Sequence, residues 1–323
     1  MSRAANRAPR GPGGVPPSRK PGTIRRRRQA LNFRTDEVLA ILDLTACLKL
    51  LRPTQWLKNL MLFFPPFLGG LLLQPGLLSR GTVPFISFCL GSSATYILND
   101  ILDRHNDARH PKKKARPIPS GRVSLPVASA LALVVLCASL WLAWGVSALF
   151  LRLLIAYLVI STCYSLKLKE LPVVDLFCIS AGFLMRLEAG GEAFGIAISD
   201  WLFLSVFLLA VFLATGKRLG EKQVLGEDAG GHRKALLSYP EGFLQGAMSL
   251  TGSAVLVTYT QYVIARHVMI YTVPLCCFGL LRFIMRVQSG QGGDPTESLL
   301  KDLPLFIVGF LWAAMIGWGL YGG

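Results

Sequence analysis

The chain has 323 residues, of which 52% are hydrophobic and 16% charged, with a formal net charge of +16. A soluble domain of this length carries about 25% charged residues. Here long apolar runs alternate with short charged stretches, and the mean hydropathy is +0.49, so an ordinary soluble globular fold is excluded and a multi-span membrane protein is indicated.

Ten Arg and Lys residues, and no Asp or Glu, lie between Met1 and Arg34; setting them aside lowers the net charge from +16 to +6. This segment, 1–34, is rich in Pro, Gly and Arg and is expected to be a disordered cytosolic tail. It lacks the apolar core of a secretory signal peptide. Beside a membrane domain its charge suits anionic lipid headgroups, and no nucleic-acid partner is expected. Residues 35–50 read as an amphipathic helix at the membrane interface, and 51–323 as a transmembrane catalytic domain.

Apolar segments at about 57–78, 82–99, 125–144, 147–166, 171–190, 200–216, 247–266, 268–286 and 303–320 predict nine spans. Only helices satisfy their own backbone within lipid, so the class is all-α integral membrane. Under this threading the basic residues of the loops after spans two, four, six and eight share one side with the tail. The positive-inside rule makes that side cytosolic and places the C-terminus on the far side. The expected location is the bacterial cytoplasmic (inner) membrane. The seven cysteines (Cys47, Cys89, Cys137, Cys163, Cys178, Cys276 and Cys277) form no CxxC or Cys/His cluster and read as small buried hydrophobes.

Five stretches carry chemistry. At the end of span two runs Asn99-Asp100-x-x-Asp103-x-x-x-Asp107. At 3.6 residues per turn its three carboxylates share one helix face, where they repel unless a cation or a basic partner lies between them. Oxygen donors of this kind suit Mg²⁺ shared with substrate phosphates. Downstream lies His110-Pro-Lys-Lys113-Lys-Ala-Arg116-Pro117, in which Lys113 and Arg116 are candidates to grip phosphate oxygens. At the start of span one, Arg52-Pro-Thr-Gln55-Trp56-Leu-Lys58-Asn59 offers Lys58 and Asn59 as substrate contacts, with Trp56 as an interfacial anchor. At the end of span six, Lys217-Arg218-Leu-Gly220-Glu221 forms a second polar wall; a simple Lys217–Glu221 surface pair is the plainer reading of its spacing. Finally Tyr164-Ser165-Leu-Lys167 precedes Asp175, Arg186 and Glu188 on or beside span five. Asp175 and Arg186 are too far apart to touch and need partners elsewhere.

Together these stretches resemble the UbiA-type intramembrane prenyltransferase superfamily, and within it the decaprenyl-phosphate phosphoribosyltransferase branch. The likeness covers about residues 48–320. It rests on the aspartate motif and on Arg52-Pro-x-Gln55-Trp56-x-Lys58-Asn59, His110-Pro-x-Lys113-x-x-Arg116-Pro117-Ile118, Tyr164-Ser165-Leu-Lys167-Leu-Lys169, Ala181-Gly-Phe-Leu-Met-Arg186 and Lys217-Arg218-x-x-Glu221. Members that use prenyl diphosphates carry a second aspartate pair after span six; here that place holds Lys217, Arg218 and Glu221, which suits a donor with an additional phosphate.

The resemblance implies helices around a central cavity open to the cytosol. It also implies Mg²⁺-dependent transfer of a 5-phosphoribosyl group from phosphoribosyl diphosphate to a polyprenyl (decaprenyl) phosphate, giving a lipid-linked precursor of arabinose for cell-envelope glycans. Asn99, Asp100, Asp103 and Asp107 would hold the metal, with Asp100, Asp103 and Glu221 as catalytic residues. Arg52, Gln55, Lys58, Asn59, Lys113, Arg116, Tyr164, Lys167, Arg186, Lys217 and Arg218 would bind substrate. The partners are then the two substrates and the membrane, and assembly into a homo-oligomer is compatible with the sequence. An aromatic prenyltransferase using a prenyl diphosphate, and a non-enzymatic lipid-phosphate carrier or transporter, are the rival readings. The absence of an internal repeat argues against the transporter.

Overall fold

The computed structural model describes residues 43–109, 113–225, 234–267 and 269–322. The tail expected at 1–34, the first half of the helix expected at 35–50, and His110 lie outside these residues.

Among the described residues every regular element is helical. A short helix α1 (Leu44–Leu50) is the visible part of the expected interfacial segment. It buries Ala46 and Leu50 in a cluster with Ala94 and Ile97. Next comes a 3-10 helix (Pro53–Phe63), eleven residues long, continued by α2 (Phe64–Leu68). Runs of 3-10 helix beyond three or four residues are uncommon. Pro53 occupies its first position, where a missing N–H costs nothing, and Pro65 and Pro66 follow it.

Span one was expected to extend to 78. The chain instead turns after Leu68 through Gly69, Gly70 and Gly76, the latter two at φ 70° and 79°, a region that glycine enters without strain. The next helix, α3 (Leu77–Leu102), therefore starts earlier than the apolar run suggested. A short α4 (Arg104–Arg109) carries the aspartate motif onward.

The remaining long helices are α5 (Leu125–Trp144), α6 (Ala148–Leu166), α7 (Val174–Phe194) and α8 (Asp200–Leu225). After a one-turn α9 (Lys234–Leu237) come α10 (Phe243–Ala265), α11 (Thr272–Gln288), the short α12 (Pro295–Lys301) and α13 (Leu303–Tyr321). Among the described residues, five helices are long and apolar enough to cross a membrane: α3, α5, α6, residues 200–224 of α8, and α13. α7 carries Asp175, Arg186, Glu188 and Glu192 in its 21 residues, and α11 is 17 residues long.

Small residues let the helices approach closely. Ser87 of α3 and Ser139 of α5 each donate to the other's backbone carbonyl, at 3.0 and 2.8 Å. A Cβ on Gly190 of α7 would lie 2.3 Å from the carbonyl oxygen of Leu62, which seats the 3-10 helix directly on α7. The cysteines are all free, but only Cys89 is buried; Cys137 and Cys163 are exposed. These two lie on outward faces of α5 and α6, where a thiol needs no protein neighbour because lipid is itself apolar.

Candidate functional site

The aspartate motif keeps helical spacing across the break between α3 and α4. The Asp103 N–H donates to the Asn99 carbonyl at 2.9 Å and the Asp107 N–H to the Asp103 carbonyl at 2.8 Å. The carboxylates thus stay on one side, and basic side chains lie between them. The Arg116 guanidinium bridges Asp100 at 3.1 Å and Asp107 at 2.5 Å. Arg52 donates to the same Asp100 oxygen, Lys113 lies 3.8 Å from Asp107, and Lys169 pairs with Asp103 at 2.5 Å. Asp100 and Asp107 are each 2% exposed. Charges this deep persist only when paired. Arg52 holds its place with φ 51° and ψ 60°, an uncommon conformation for a residue with a Cβ, and its guanidinium sits 5.2 Å over the Tyr96 ring.

The 3-10 helix forms a second wall. With three residues per turn, side chains three apart stack along one face. Arg52, Gln55, Lys58, Met61 and Phe64 accordingly line the cavity together. The adjoining row turns into the protein. The Trp56 indole donates to Ser93 at 3.0 Å, and the fully buried Asn59 amide donates to Cys89 and Ser92 at 3.2 and 3.3 Å.

Asn59 also accepts from Arg186 Nε at 2.7 Å. Arg186 donates further to the Gly182 carbonyl at 2.7 Å and to the Tyr157 hydroxyl at 3.0 Å. An arginine in the middle of an apolar helix is thereby held by three acceptors, two of them from other elements.

The third wall is the C-terminal end of α8. Arg218 is 1% exposed. It donates to Asp175 at 2.6 Å, Glu221 at 2.8 Å and the Tyr164 hydroxyl at 3.0 Å. Glu221 therefore pairs with Arg218, and Lys217 reaches across to Asp294 at 3.0 Å, in place of the Lys217–Glu221 pair that the spacing suggested. Asp175 also accepts from the Tyr239 hydroxyl at 2.6 Å, and that hydroxyl accepts from the Val173 N–H at 2.7 Å. Burial, followed by the hydrogen bond to Asp175, pushes the Tyr239 phenol well above its usual range.

These walls enclose a cavity of about 1160 Å³. Of the residues singled out from sequence, Arg52, Gln55, Lys58, Asn99, Asp103, Lys113, Arg116, Tyr164, Arg186, Lys217, Arg218 and Glu221 line it; Asn59, Asp100, Asp107 and Lys167 do not. Lys167 is exposed, and its neighbour Lys169 makes the contact with the aspartates. Apolar side chains such as Val206, Phe212, Val255, Leu280 and Trp312 complete the lining.

Asp294 and Thr296 also line the cavity, and no sequence motif marked them. Asp294 caps α12, accepting from the Thr296 and Glu297 N–H groups at 3.1 and 3.2 Å. Asp-Pro-Thr-Glu is legible as a helix start, but not as a cavity wall. Burial alone would raise the Asp294 carboxyl. The Lys217 ammonium, its hydrogen bond, the Glu297 N–H and the charge of Lys58 outweigh this and hold it below the usual carboxylate value.

Among the described residues, no three His, Cys, Asp or Glu side chains converge as a metal cluster. From the aspartate motif, the donors that face the cavity are the Asn99 amide and the Asp103 carboxylate, both oxygen ligands. Mg²⁺ favours such a set when substrate phosphates complete its shell, in preference to an all-protein cage. The residues present fit that arrangement.

Residues 63–301 match the family model described as the UbiA prenyltransferase family. The chain is 32% identical to the decaprenyl-phosphate phosphoribosyltransferase of Mycolicibacterium smegmatis, over 85% of this chain and 92% of that protein. It is 30% identical to the decaprenyl-phosphate phosphoribosyltransferase of Corynebacterium glutamicum, over 85% of this chain and 86% of that protein. Among solved structures, a UbiA homolog from Archaeoglobus fulgidus bound to GPP and Mg²⁺ superposes with a TM-score of 0.68 at 20% identity, covering 86% of this chain and all of the other.

Proposed function

Because the chain belongs to the UbiA prenyltransferase family, we propose that it is a membrane-embedded pentosyltransferase that moves a 5-phosphoribosyl group from phosphoribosyl diphosphate to a polyprenyl phosphate, decaprenyl phosphate above all. The observation that carries this reading is the cationic lining: Arg52, Lys58, Lys113, Arg116, Lys217 and Arg218 all face the cavity that Asn99 and Asp103 enter. A donor with a diphosphate at C1 and a further phosphate at C5 needs more positive charge than a prenyl diphosphate does. The names of the curated relatives agree with it.

The step is a substitution at C1 of the ribose. The bond from C1 to the diphosphate oxygen breaks, a bond from C1 to an oxygen of the lipid phosphate forms, and diphosphate leaves. The acceptor phosphate is already anionic near neutral pH, so no strong general base is required. Lys58, Lys113 and Arg116 stabilise the negative charge that develops on the leaving group. Asn99 and Asp103, with Asp100 and Asp107 behind them, would hold Mg²⁺, which supplies Lewis-acid neutralisation of the diphosphate when bound. Glu221, fixed by Arg218, is the carboxylate offered to the positive charge on the ribose ring in the transition state.

The lipid tail runs along the apolar part of the cavity, and the sugar phosphate enters from the cytosol. The chain threads nine times through the bacterial cytoplasmic membrane with its aspartate motif inside, and its product serves cell-envelope glycan synthesis. The test is an incubation of the purified protein in detergent with Mg²⁺, phosphoribosyl diphosphate labelled in the ribose, and a polyprenyl phosphate. Label in the lipid phase is expected. No label there, together with prenylation of an aromatic acid from a prenyl diphosphate, would overturn the proposal.

A further inference from the structure

The cavity has one carboxylate that the proposed reaction leaves without a task. Asp294 belongs neither to the aspartate motif nor to the end of α8; it comes from the loop between α11 and α12. That loop is fastened on both sides. The buried Arg286 guanidinium holds the Gln291 side chain at 3.1 Å, the Gln291 carbonyl at 3.3 Å and the Ser298 hydroxyl at 3.3 Å. On the other side, Gly293 lies flat on α8: a Cβ there would be 2.1 Å from the Gly216 carbonyl oxygen, and one on Gly220 would be 2.6 Å from the Gly293 nitrogen. Only a glycine pair permits this approach. Asp294 is therefore set at the cavity wall with little freedom, and its side chain is still 40% exposed.

The carboxylate accepts one bond from Lys217 on Oδ2 and two from the α12 N–H groups on Oδ1. A carboxylate has about four acceptor positions, so one stays open. The Thr296 hydroxyl and the Lys58 ammonium line the same cavity, and neither has a hydrogen-bond or ion-pair partner among the described residues. An open carboxylate acceptor, a hydroxyl that both gives and takes, and two ammonium groups are the complement of a ligand with hydroxyls beside a phosphate. Carboxylates recognise ribose hydroxyls in this way.

Resting on the reading that the donor is a phosphorylated pentosyl diphosphate, we propose that Asp294 and Thr296 take the vicinal hydroxyls of the pentose, and that Asp294 determines specificity for ribose over 2-deoxyribose. Lys217 then holds the adjoining 5-phosphate, and Lys58 stays with the diphosphate. A donor without the hydroxyls leaves Asp294 short of a partner, and a polar site rejects such an analogue far more strongly than an apolar pocket does.

The plainer alternative is that Asp294 only steadies Lys217. The two separate cleanly, because losing the orientation of Lys217 weakens every 5-phosphate equally. Ribose 5-phosphate and 2-deoxyribose 5-phosphate are compared as competitors of phosphoribosyl diphosphate in the transfer assay, with wild type, Asp294→Ala and Asp294→Asn. Wild type should be inhibited about tenfold more tightly by ribose 5-phosphate, the scale of one hydrogen bond to a charged group. Asp294→Ala should bring the two inhibitors level. Asp294→Asn keeps an acceptor for the α12 N–H groups, so it supplies the same comparison if the alanine variant does not fold. Equal inhibition of wild type by the two sugars, or variants that weaken both alike, would overturn the proposal while leaving transfer from phosphoribosyl diphosphate intact. Absence of any such transfer by wild type would instead sink the reading of the reaction itself.

Discussion

Asp103 is the aspartate with the greatest freedom to act. Asp100 and Asp107 are almost wholly enclosed and share Arg116, whereas Asp103 lines the cavity and, among the described residues, pairs with Lys169. Replacing Asp103 by Asn removes a charge but keeps the shape. We expect transfer to fall at least about a hundredfold while the melting temperature in detergent stays near that of wild type; full activity would defeat the metal-site assignment. Asp302 has a structural task. Its carboxylate accepts two bonds from Arg282, both at 3.0 Å, one from Arg286 at 3.3 Å, and one from the Leu305 N–H at 3.1 Å. The hydrogen bond from Arg282 leads in holding it below the usual carboxylate value. A carboxyl depressed in the folded state contributes stability above its unfolded value, about 4, and loses it as pH falls through the lower folded value. Asp302→Asn should therefore melt earlier than wild type at pH 7, and the gap should close as pH drops below about 4. A gap that widens in acid would contradict this.

At the scale of elements, the fold was largely legible in the sequence. Apart from the first, which breaks after Leu68, each apolar run expected to span is helical over most of its described length, because a run near twenty mostly apolar residues has few other solutions in lipid. The wall formed by the 3-10 helix was harder to see. Arg52, Gln55 and Lys58 were singled out individually, yet an α-helical reading would spread them over about 120° of the axis; the period of three of the 3-10 helix puts them in one row. Asn59 looked like a substrate contact because it is polar and next to Lys58, but in that period it turns inward to Arg186. Partners across elements were not legible at all. Asp175 with Arg218, Lys169 with Asp103 and Lys217 with Asp294 depend on which helices meet, and Gly293 on Gly216 is a backbone contact with no side-chain signal. That contact is testable. Gly293→Ala should push the loop off α8, raise the KM for the sugar donor severalfold and lower stability by about 1–3 kcal/mol, as overpacking does. Unchanged KM and melting would mean that the loop is not seated there.

For the molecule as a whole, how the chain threads decides from which side each substrate reaches the cavity. In intact cells an impermeant thiol reagent should label Gln74→Cys, in the turn between α2 and α3, and should spare Lys114→Cys, beside the aspartate motif; the opposite pattern would invert the topology. On the proposed reading, the cavity's cations serve a sugar donor with a diphosphate and a further phosphate, and the polyprenyl chain belongs to the acceptor. Mass spectrometry of decaprenyl phosphate after incubation with the purified protein, Mg²⁺ and phosphoribosyl diphosphate tests this most directly. The lipid should gain one 5-phosphoribosyl group in step with release of diphosphate. Decaprenyl phosphate recovered unchanged, from protein that prenylates an aromatic acceptor under the same conditions, would contradict it.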